Sequence, residues 1–225
     1  MSLELSNVAC LIKFIDSKYV SSFVDEGLLY MNTLGYFRTY EDENLALRAD
    51  EHEGLSASLR AGDVDIIKDG RKLDGIIGKV DSREIHVDEF KLYCMTAITF
   101  DDLAFPFFLD QSFKNFGDKA VIIEGRHLAH FFERLIARVA NDETIYAIDS
   151  SLKSAGLIQY VERGESHFKL TPFHKFSNYK WQKEFRLVYE VPQIQGAYEL
   201  RLGALNDIAG VIDTKELLST LLRLK

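Results

Sequence analysis

Short runs of apolar residues, separated by turn-forming residues, follow one another along most of the chain. Runs of this length that are rich in β-branched and aromatic residues are typical of β-strands. The pair Asp69-Gly70, which stands between two such runs, is typical of a tight hairpin turn. The pattern predicts strands at 8–14, 28–31, 64–67, 73–80, 92–100, 120–123, 144–148, 156–161, 167–170, 185–191, 198–202 and 211–212.

Helical periodicity is rarer along the chain. The clearest amphipathic helix is predicted at 127–139, where apolar residues recur on one stripe. Another helix is predicted to start at Asp16-Ser17 and to end at Gly27, and a last short one from Thr214 to Leu224. Because strands dominate and do not alternate regularly with helices, we expect a single α+β domain over residues 1–225. Its sheet should be mixed or mostly antiparallel, with a few packed helices.

Composition and charge narrow the class of protein. The 225 residues are 47% hydrophobic and 28% charged, as in an ordinary globular protein. The formal net charge of −8 argues against general nucleic-acid binding, because a protein that grips phosphate backbones needs a concentrated Lys/Arg surface. No apolar run approaches the ~20 residues of a membrane span, and no signal peptide opens the chain. We therefore expect a cytoplasmic protein without a membrane partner.

The two cysteines, Cys10 and Cys94, both lie in apolar surroundings without a Cys-x-x-Cys partner or a neighbouring histidine. This pattern favours two small buried hydrophobic residues in a reducing compartment over a nucleophile or a disulfide. The glycine-rich nucleotide motifs and the common hydrolase motifs are absent from the sequence.

The segment with the most chemical character runs from Trp181 to Arg186. If residues 181–188 are extended, successive side chains alternate between two faces. The predicted faces are Gln182, Glu184 and Arg186 on one side, and Trp181, Phe185 and Leu187, with the stem of Lys183, on the core side. A carboxamide and a carboxylate two residues apart on one face can grip two adjacent hydroxyls or stabilise a developing cation. The structural alternative is an amphipathic surface strand whose Glu and Arg pair with charges on a neighbouring strand.

The pattern Gln182-x-Glu184 at the start of an apolar strand resembles the Q-x-E or E-x-E signature of the ADP-ribosyltransferases. The resemblance implies that NAD is the substrate and that ADP-ribose is transferred to a macromolecular target. It also implies that Glu184 hydrogen-bonds a hydroxyl of the nicotinamide ribose and stabilises an oxocarbenium-like transition state. Negative charge placed where positive charge develops is the main electrostatic means of catalysis in such a site.

The order of motifs along most of the chain also resembles a large uncharacterised bacterial family, some of whose members are linked to phage defence. The matching elements are Ile12-Lys13-Phe14, Gly27-Leu-Leu-Tyr30, Tyr93-Cys-Met-Thr96, the turn Phe116-Gly117 before an apolar strand, and Trp181 with the following Gln-x-Glu-Phe-Arg. Gln182 stands where that family more often has its first Glu, and Trp181 lies closer to this pair than is usual there.

The resemblance implies further roles for matching positions. Thr96 would brace the catalytic Glu184, and Lys13 would hold the phosphates or ribose of NAD in the place of an Arg or His. Tyr30, or an aromatic residue of segment 105–116, would stack on the nicotinamide ring. Independently of the resemblance, Arg38 follows two aromatic residues and is either an anion ligand for the cofactor or a plain surface arginine.

Two polar clusters leave alternatives open. The stretch Asp50-Glu-His-Glu53 offers ligands for a divalent metal, as a metal-dependent nuclease would need, but we expect the acidic segment 41–53 to be an exposed, solvated loop. His127 and His130, with Glu133 one turn further, are expected to form a polar helix face. His174 is either an acid/base group or a loop histidine.

The aromatic segment 105–116, which contains five phenylalanines, supports a different class of function. Exposed aromatic clusters mark interfaces. The alternative to an enzyme is therefore a non-catalytic interaction or regulatory protein, in which this segment docks a partner or closes a dimer.

Overall fold

The structure, a computed structural model, describes residues 5–39, 50–148 and 154–224. Its strands are β1 (Val8–Ile15), β2 (Leu28–Thr33), β3 (Leu55–Arg60), β4 (Ile67–Lys68), β5 (Arg71–Lys72), β6 (Lys79–Arg83), β7 (Lys91–Thr99), β8 (Lys119–Glu124), β9 (Tyr146–Ala147), β10 (Ala155–Leu157), β11 (Gln159–Val161), β12 (His174–Phe176), β13 (Glu184–Glu190), β14 (Tyr198–Arg201) and β15 (Ala209–Asp213). Its α-helices are α1 (Val20–Val24), α2 (Leu34–Thr39), α3 (Gly125–Ala140) and α4 (Thr214–Leu218). Segments of 3-10 helix lie at Ser17–Tyr19, Ala61–Asp63, Ile85–Glu89, Asp102–Ala104, Gln111–Asn115 and Ser177–Gln182.

A large antiparallel sheet organises the fold. Its strands lie in the order β10-β13-β7-β1-β8-β15, and each neighbouring pair is antiparallel. β2 pairs with β7 and β14, and β9 pairs with β13. Of the smaller pairs, β3–β6 and β4–β5 are antiparallel and β11–β12 is parallel. This sheet with its several short helices confirms the predicted α+β fold class.

Strand β7 is paired along both edges, and one edge is shared between two strands. β1 pairs with the C-terminal half of β7, where Ile12 lies opposite Thr96, and β2 pairs with its N-terminal end. Between these two regions the carbonyl of Cys94 accepts a hydrogen bond of 2.8 Å from Lys13 Nζ. The lysine thereby satisfies a backbone acceptor that lies between the two pairing regions.

Both faces of the central strand β13 are enclosed. One face packs against α3, with Phe131 and Phe185 both buried. The other face carries Glu184, Arg186 and Val188, and Val188 belongs to a separate apolar cluster. Burial of each large apolar side chain contributes about 1.5–3 kcal/mol. Because β13 lies between β10 and β7 and is covered on both sides, its polar side chains are buried together with its apolar ones.

The helices follow their predictions in part. The predicted amphipathic helix 127–139 is confirmed as α3. The helix predicted from Asp16-Ser17 to Gly27 is correct only in part: a 3-10 segment covers Ser17–Tyr19, α1 covers Val20–Val24 and its C-cap is Asp25, so Gly27, with a φ of 63°, lies beyond the end of the helix. The C-terminal helix is shorter than predicted, because the chain beyond Leu218 forms a bridge in which Leu222 N donates to Phe107 O at 2.9 Å. Within the described residues, no helix has the length and apolar character needed to cross a membrane.

The region 55–83 differs most from its prediction. The tight turn at Asp69-Gly70 is confirmed, with φ of 52° and 74°, but it joins only the two-residue strands β4 and β5. β3 and most of β6 lie outside the predicted strands, because they are built from small and charged residues. Residues 167–170, predicted as a strand, form only an isolated bridge between His167 and Ser58.

Candidate functional site

The chain enters β13 through a sharp turn. Residues Ser177–Gln182 form a 3-10 helix, and Lys183 then adopts a left-handed conformation (φ 46°) before β13 begins at Glu184. A residue other than glycine in this conformation costs about 1–2 kcal/mol. The turn is held by a bond from Ala97 N to Lys183 O at 2.7 Å and by the ion pair of Lys183 with Asp102.

This turn corrects one prediction about the segment 181–188. The extended stretch begins only at Glu184, so Trp181 does not alternate with Phe185 on the core face. Trp181 instead packs edge-on against Phe113, with ring centroids 5.2 Å apart, in the apolar cluster on the other side of the sheet. The alternation is correct from Glu184 onward, where Glu184 and Arg186 share one face and Phe185 and Leu187 the other.

The carboxylate of Glu184 is buried between two cations. Its Oε1 accepts from Arg186 Nε at 2.6 Å, and its Oε2 accepts from Lys175 Nζ at 3.2 Å. The residue as a whole is 6% exposed. Burial opposes ionisation of the carboxyl, but the charges of Arg186 and Lys175 outweigh it and hold the pKa of Glu184 well below its ordinary value. The group is therefore a carboxylate across the physiological pH range.

Arg186 lies between two carboxylates. Its Nη1 and Nη2 each donate to one oxygen of Glu53 at 2.7 Å, and Nη1 also donates to the carbonyl of Pro172 at 2.6 Å. Arg186 is 1% exposed and Glu53 is 2% exposed. Burial alone would lower the pKa of the guanidinium, but Glu184 and Glu53 raise it well above its ordinary value. The pairing is bidentate and buried, so loss of one partner would leave the other charge buried and uncompensated.

Gln182 and Lys175 complete the cluster on the strand-entry side. Lys175 Nζ donates to Gln182 Oε1 at 3.0 Å and lies 4.6 Å from the ring centroid of Tyr179. Both side chains are buried. We use the name ionic cluster for Glu53, Lys175, Gln182, Glu184 and Arg186. It contains two carboxylates, two cations and one amide.

Thr96 lies directly across from Glu184 in the pairing of β7 with β13, and it is also buried. The structure thus brings together Gln182, Glu184 and Thr96, the three residues predicted to be catalytic. Tyr160, which the sequence did not single out, accepts a bond from Glu184 N at its hydroxyl oxygen (2.9 Å). It fixes the backbone where β13 begins.

The three residues predicted to bind the cofactor are placed elsewhere. Ile12 is the residue opposite Thr96, so Lys13 projects to the other face of the sheet, where its Nζ lies 4.2 Å from the ring centroid of Tyr93. The expected convergence of Lys13 with Thr96 and Glu184 in one cleft is therefore wrong. The alternation of side chains along one strand could not reveal the face on which Lys13 lies relative to Thr96, because that face depends on the register between β1 and β7.

Tyr30 and Arg38 belong to β2 and α2. Tyr30 is 54% exposed on β2, where it pairs with Glu199 of β14. Arg38 makes a bidentate ion pair with Asp88, at 2.5 and 2.6 Å, and this pair lowers the pKa of the Asp88 carboxyl. The anion partner of Arg38 in the structure is thus a side chain of the protein itself.

The acidic stretch around Glu53 is not the exposed loop that we expected. Asp50 and Glu53 are both 2% exposed, and burial, reinforced by the charge of Glu53, raises the pKa of Asp50. Residues 41–49 of the acidic segment lie outside the described residues. Among residues 5–39, 50–148 and 154–224, no group of three His, Cys, Asp or Glu is arranged to hold a metal ion.

His130, His174 and the two cysteines were the remaining candidates for chemistry. His130 is exposed and lies 3.3 Å from Glu133 on the surface of α3. His174 Nδ1 accepts from Thr171 N at 3.1 Å in a local turn. Both cysteines are free thiols, and both are half-buried rather than buried as expected. Burial raises the pKa of Cys10 to about 11, and burial together with the charge of Glu184 raises that of Cys94 further, so neither is an activated nucleophile.

A cavity of about 390 Å³ adjoins the ionic cluster. Its wall includes Gly54, which follows Glu53, and Pro172, whose carbonyl binds Arg186. Phe90 and Phe173 supply aromatic surface. Glu184 itself is not part of the wall, so the carboxylate lies behind the cavity rather than inside it.

The partners of the cluster had no signal in the sequence. Glu53 and Arg186 are 133 positions apart, and nothing in the local pattern around either residue indicates the pairing.

Comparisons of the chain with protein-family models, with curated proteins and with solved structures found no match.

Proposed function

We propose that this chain is an ADP-ribosyltransferase-like enzyme that cleaves NAD and transfers ADP-ribose to a macromolecular target. The observation that supports the proposal is the grouping of Gln182, Glu184 and Thr96 at the start of a central strand, with Glu184 ionised. The Q-x-E resemblance implies this grouping, whereas Lys13, which the resemblance also implied, lies on the other face of the sheet.

In the proposed reaction the bond between the nicotinamide nitrogen and C1′ of the ribose breaks, and nicotinamide leaves with the bonding electrons as a neutral ring. The sugar becomes oxocarbenium-like, and a nucleophile of the target attacks C1′ and loses its proton to solvent. A carboxylate held in a buried site stabilises the sugar cation more than one in water, because the local dielectric is low. Glu184 supplies that carboxylate.

The closed cluster sets a condition on this reaction. Glu184 is 6% exposed, and Lys175 occupies one of its two oxygens. The substrate sugar therefore reaches the carboxylate only when side chains that cover it move.

The direct test is Glu184→Gln, assayed by release of nicotinamide from NAD. Removal of one preorganised group that stabilises transition-state charge lowers kcat by roughly 10²–10³-fold, and we expect a loss of this size. Glu53→Gln is the matched control, because it removes an equally buried carboxylate from the same arginine. It should lose stability without this loss of turnover. Equal nicotinamide release by Glu184→Gln and the unaltered protein would contradict the proposal, as would release by the unaltered protein no faster than in buffer.

A second candidate function rests on the aromatic segment 105–116. Phe113 is buried, but Phe105 is 80% exposed and Phe108 is 56% exposed. Leu221, beside the bridge that ties the C-terminal tail to Phe107, is also exposed. These side chains favour the alternative of a non-catalytic interaction protein whose aromatic segment closes a dimer.

The double substitution Phe105→Ser/Phe108→Ser tests this alternative by sedimentation velocity. Burial of each phenylalanine in an interface contributes about 1.5–3 kcal/mol, so the double variant should weaken a dimer by at least about a hundredfold. Phe168→Ser, at a position that is 70% exposed outside the segment, is the control and should leave the dimer intact. An unaltered protein that sediments as a monomer at every concentration would exclude the dimer.

A further inference from the structure

We infer that Lys175 is a positioning residue, which holds Gln182 and Glu184 in a fixed relation to each other. For its consequence in catalysis, this inference rests on the proposed function. The geometry itself concerns the protein alone and can be tested without NAD.

One ammonium group bridges the two side chains. Lys175 Nζ donates to Gln182 Oε1 at 3.0 Å and to Glu184 Oε2 at 3.2 Å, and Glu53 Oε2 lies 3.9 Å away. The ring of Tyr179 covers the same ammonium group at 4.6 Å. A lysine has three N–H donors and no acceptor, and two of its donors are used in these hydrogen bonds.

The bridge also determines the orientation of the Gln182 amide. An ammonium group can only donate, so the atom of Gln182 that faces it must be the carbonyl oxygen. The amide nitrogen then points away from Lys175. Loss of the lysine removes a charged contact that distinguishes the two ends of this amide.

Lys175 is itself placed by a strand pairing. In the parallel pair β11–β12, Lys175 lies opposite Tyr160. Tyr160 binds the backbone nitrogen of Glu184, while Lys175 binds its side chain. Two neighbouring residues of one small sheet therefore hold Glu184 at both its main chain and its carboxylate.

Arg186 cannot take over this task. Both terminal nitrogens of its guanidinium are bound to Glu53, and one of them also to Pro172 O. Only its Nε reaches Glu184. The lysine is thus the cation that joins Gln182 and Glu184, whereas the arginine joins Glu184 to the segment around Glu53.

The test compares Lys175→Met with Lys91→Met. Lys91 is the matched control because it is another buried lysine, on β7, whose nearest carboxylate is Glu89 at 3.8 Å. Without Lys175 the Glu184 carboxylate loses a cation within hydrogen-bond distance and is protonated more readily, by about one pH unit or more. The acid limb of the kcat profile should move to higher pH by that amount in Lys175→Met, with kcat reduced and KM little changed. Lys91→Met should leave the acid limb in place.

A second measurement separates the failure of this inference from the failure of the proposed function. The carboxyl carbon of Glu184, identified by its loss in Glu184→Gln, is titrated by NMR in the absence of NAD. Its titration should move to higher pH in Lys175→Met. Lys175→Gln, which keeps a polar side chain in the cluster, should show the same movement and serves if Lys175→Met does not fold. Lys175→Arg, which keeps the charge, should restore the titration toward that of the unaltered protein.

An unchanged titration of Glu184 in both neutral variants would overturn the role of Lys175. If the unaltered protein releases no nicotinamide while the variants show the shifted titration, the proposed function is overturned and the positioning role of Lys175 remains supported.

Discussion

Replacement of Arg186 by Met is expected to destabilise the fold by about 3–5 kcal/mol, because it leaves two buried carboxylates without their shared cation. Glu53 loses both bonds of its bidentate pair, and Glu184 loses its contact of 2.6 Å. The carbonyl of Pro172 loses a donor as well. Methionine fills much of the same volume, so the loss reports on charge and hydrogen bonding rather than on a cavity. The measurement is the free energy of unfolding from urea denaturation.

Arg134→Met is the matched control for this substitution. Arg134 also makes a bidentate pair with a carboxylate, Asp207, and donates to a carbonyl, Ala204 O. Its partner is about half exposed, and exposed ion pairs contribute only about 0–1 kcal/mol. Equal losses of unfolding free energy in Arg186→Met and Arg134→Met would show that the buried ion pairs of Arg186 contribute no more stability than an exposed pair. The double variant Arg186→Met/Glu53→Gln should cost less than the sum of its parts, because the two side chains interact.

The substitution Gly27→Ala is expected to cost about 2–5 kcal/mol, the second large effect. Gly27 has a φ of 63°, which disfavours any residue with a Cβ by about 1–2 kcal/mol. A Cβ at this position would lie 2.1 Å from the carbonyl oxygen of Gly203, and relief of such an overlap in packed structure adds about 1–3 kcal/mol. Movement of the backbone there is opposed by the bond from Leu202 N to Gly27 O, at 3.1 Å.

Gly203→Ala isolates the steric part of this effect. Gly203 has a φ of 80°, so alanine meets a similar backbone penalty, but a Cβ there meets no atom within 4 Å. We expect Gly203→Ala to cost only the backbone share, about 1–2 kcal/mol. Equal unfolding free energies for the two alanine variants would contradict the steric argument.

Much of the fold could be predicted because its signals are local. The strands β1, β7, β8 and β13 consist mainly of apolar residues, and the stripe of α3 repeats at helical spacing. The strands β3 and β6 escaped prediction, since their stability depends on pairing with each other rather than on an apolar run of their own.

The candidate site also has features that local sequence signals predict and features that they do not. The positions of Glu184 and Arg186 on one face of a strand follow from the two-residue alternation of extended backbone. The pairing of Thr96 with Glu184 was implied by resemblance and agrees with the register of β7 and β13. The left-handed turn at Lys183 carried no sequence signal, and it displaced Trp181 from its predicted face.

By itself the sequence determined which residues repeat at strand and helix spacing, and therefore the α+β class and the shared face of Glu184 and Arg186. Only the tertiary structure decided that this face is enclosed, that Glu53 and Lys175 supply its ionic partners, and that Lys13 lies on the opposite side. The physical reason is range: side-chain alternation depends on neighbouring residues, whereas burial and charge pairing depend on segments that lie up to 133 positions apart and meet only when the sheet is assembled.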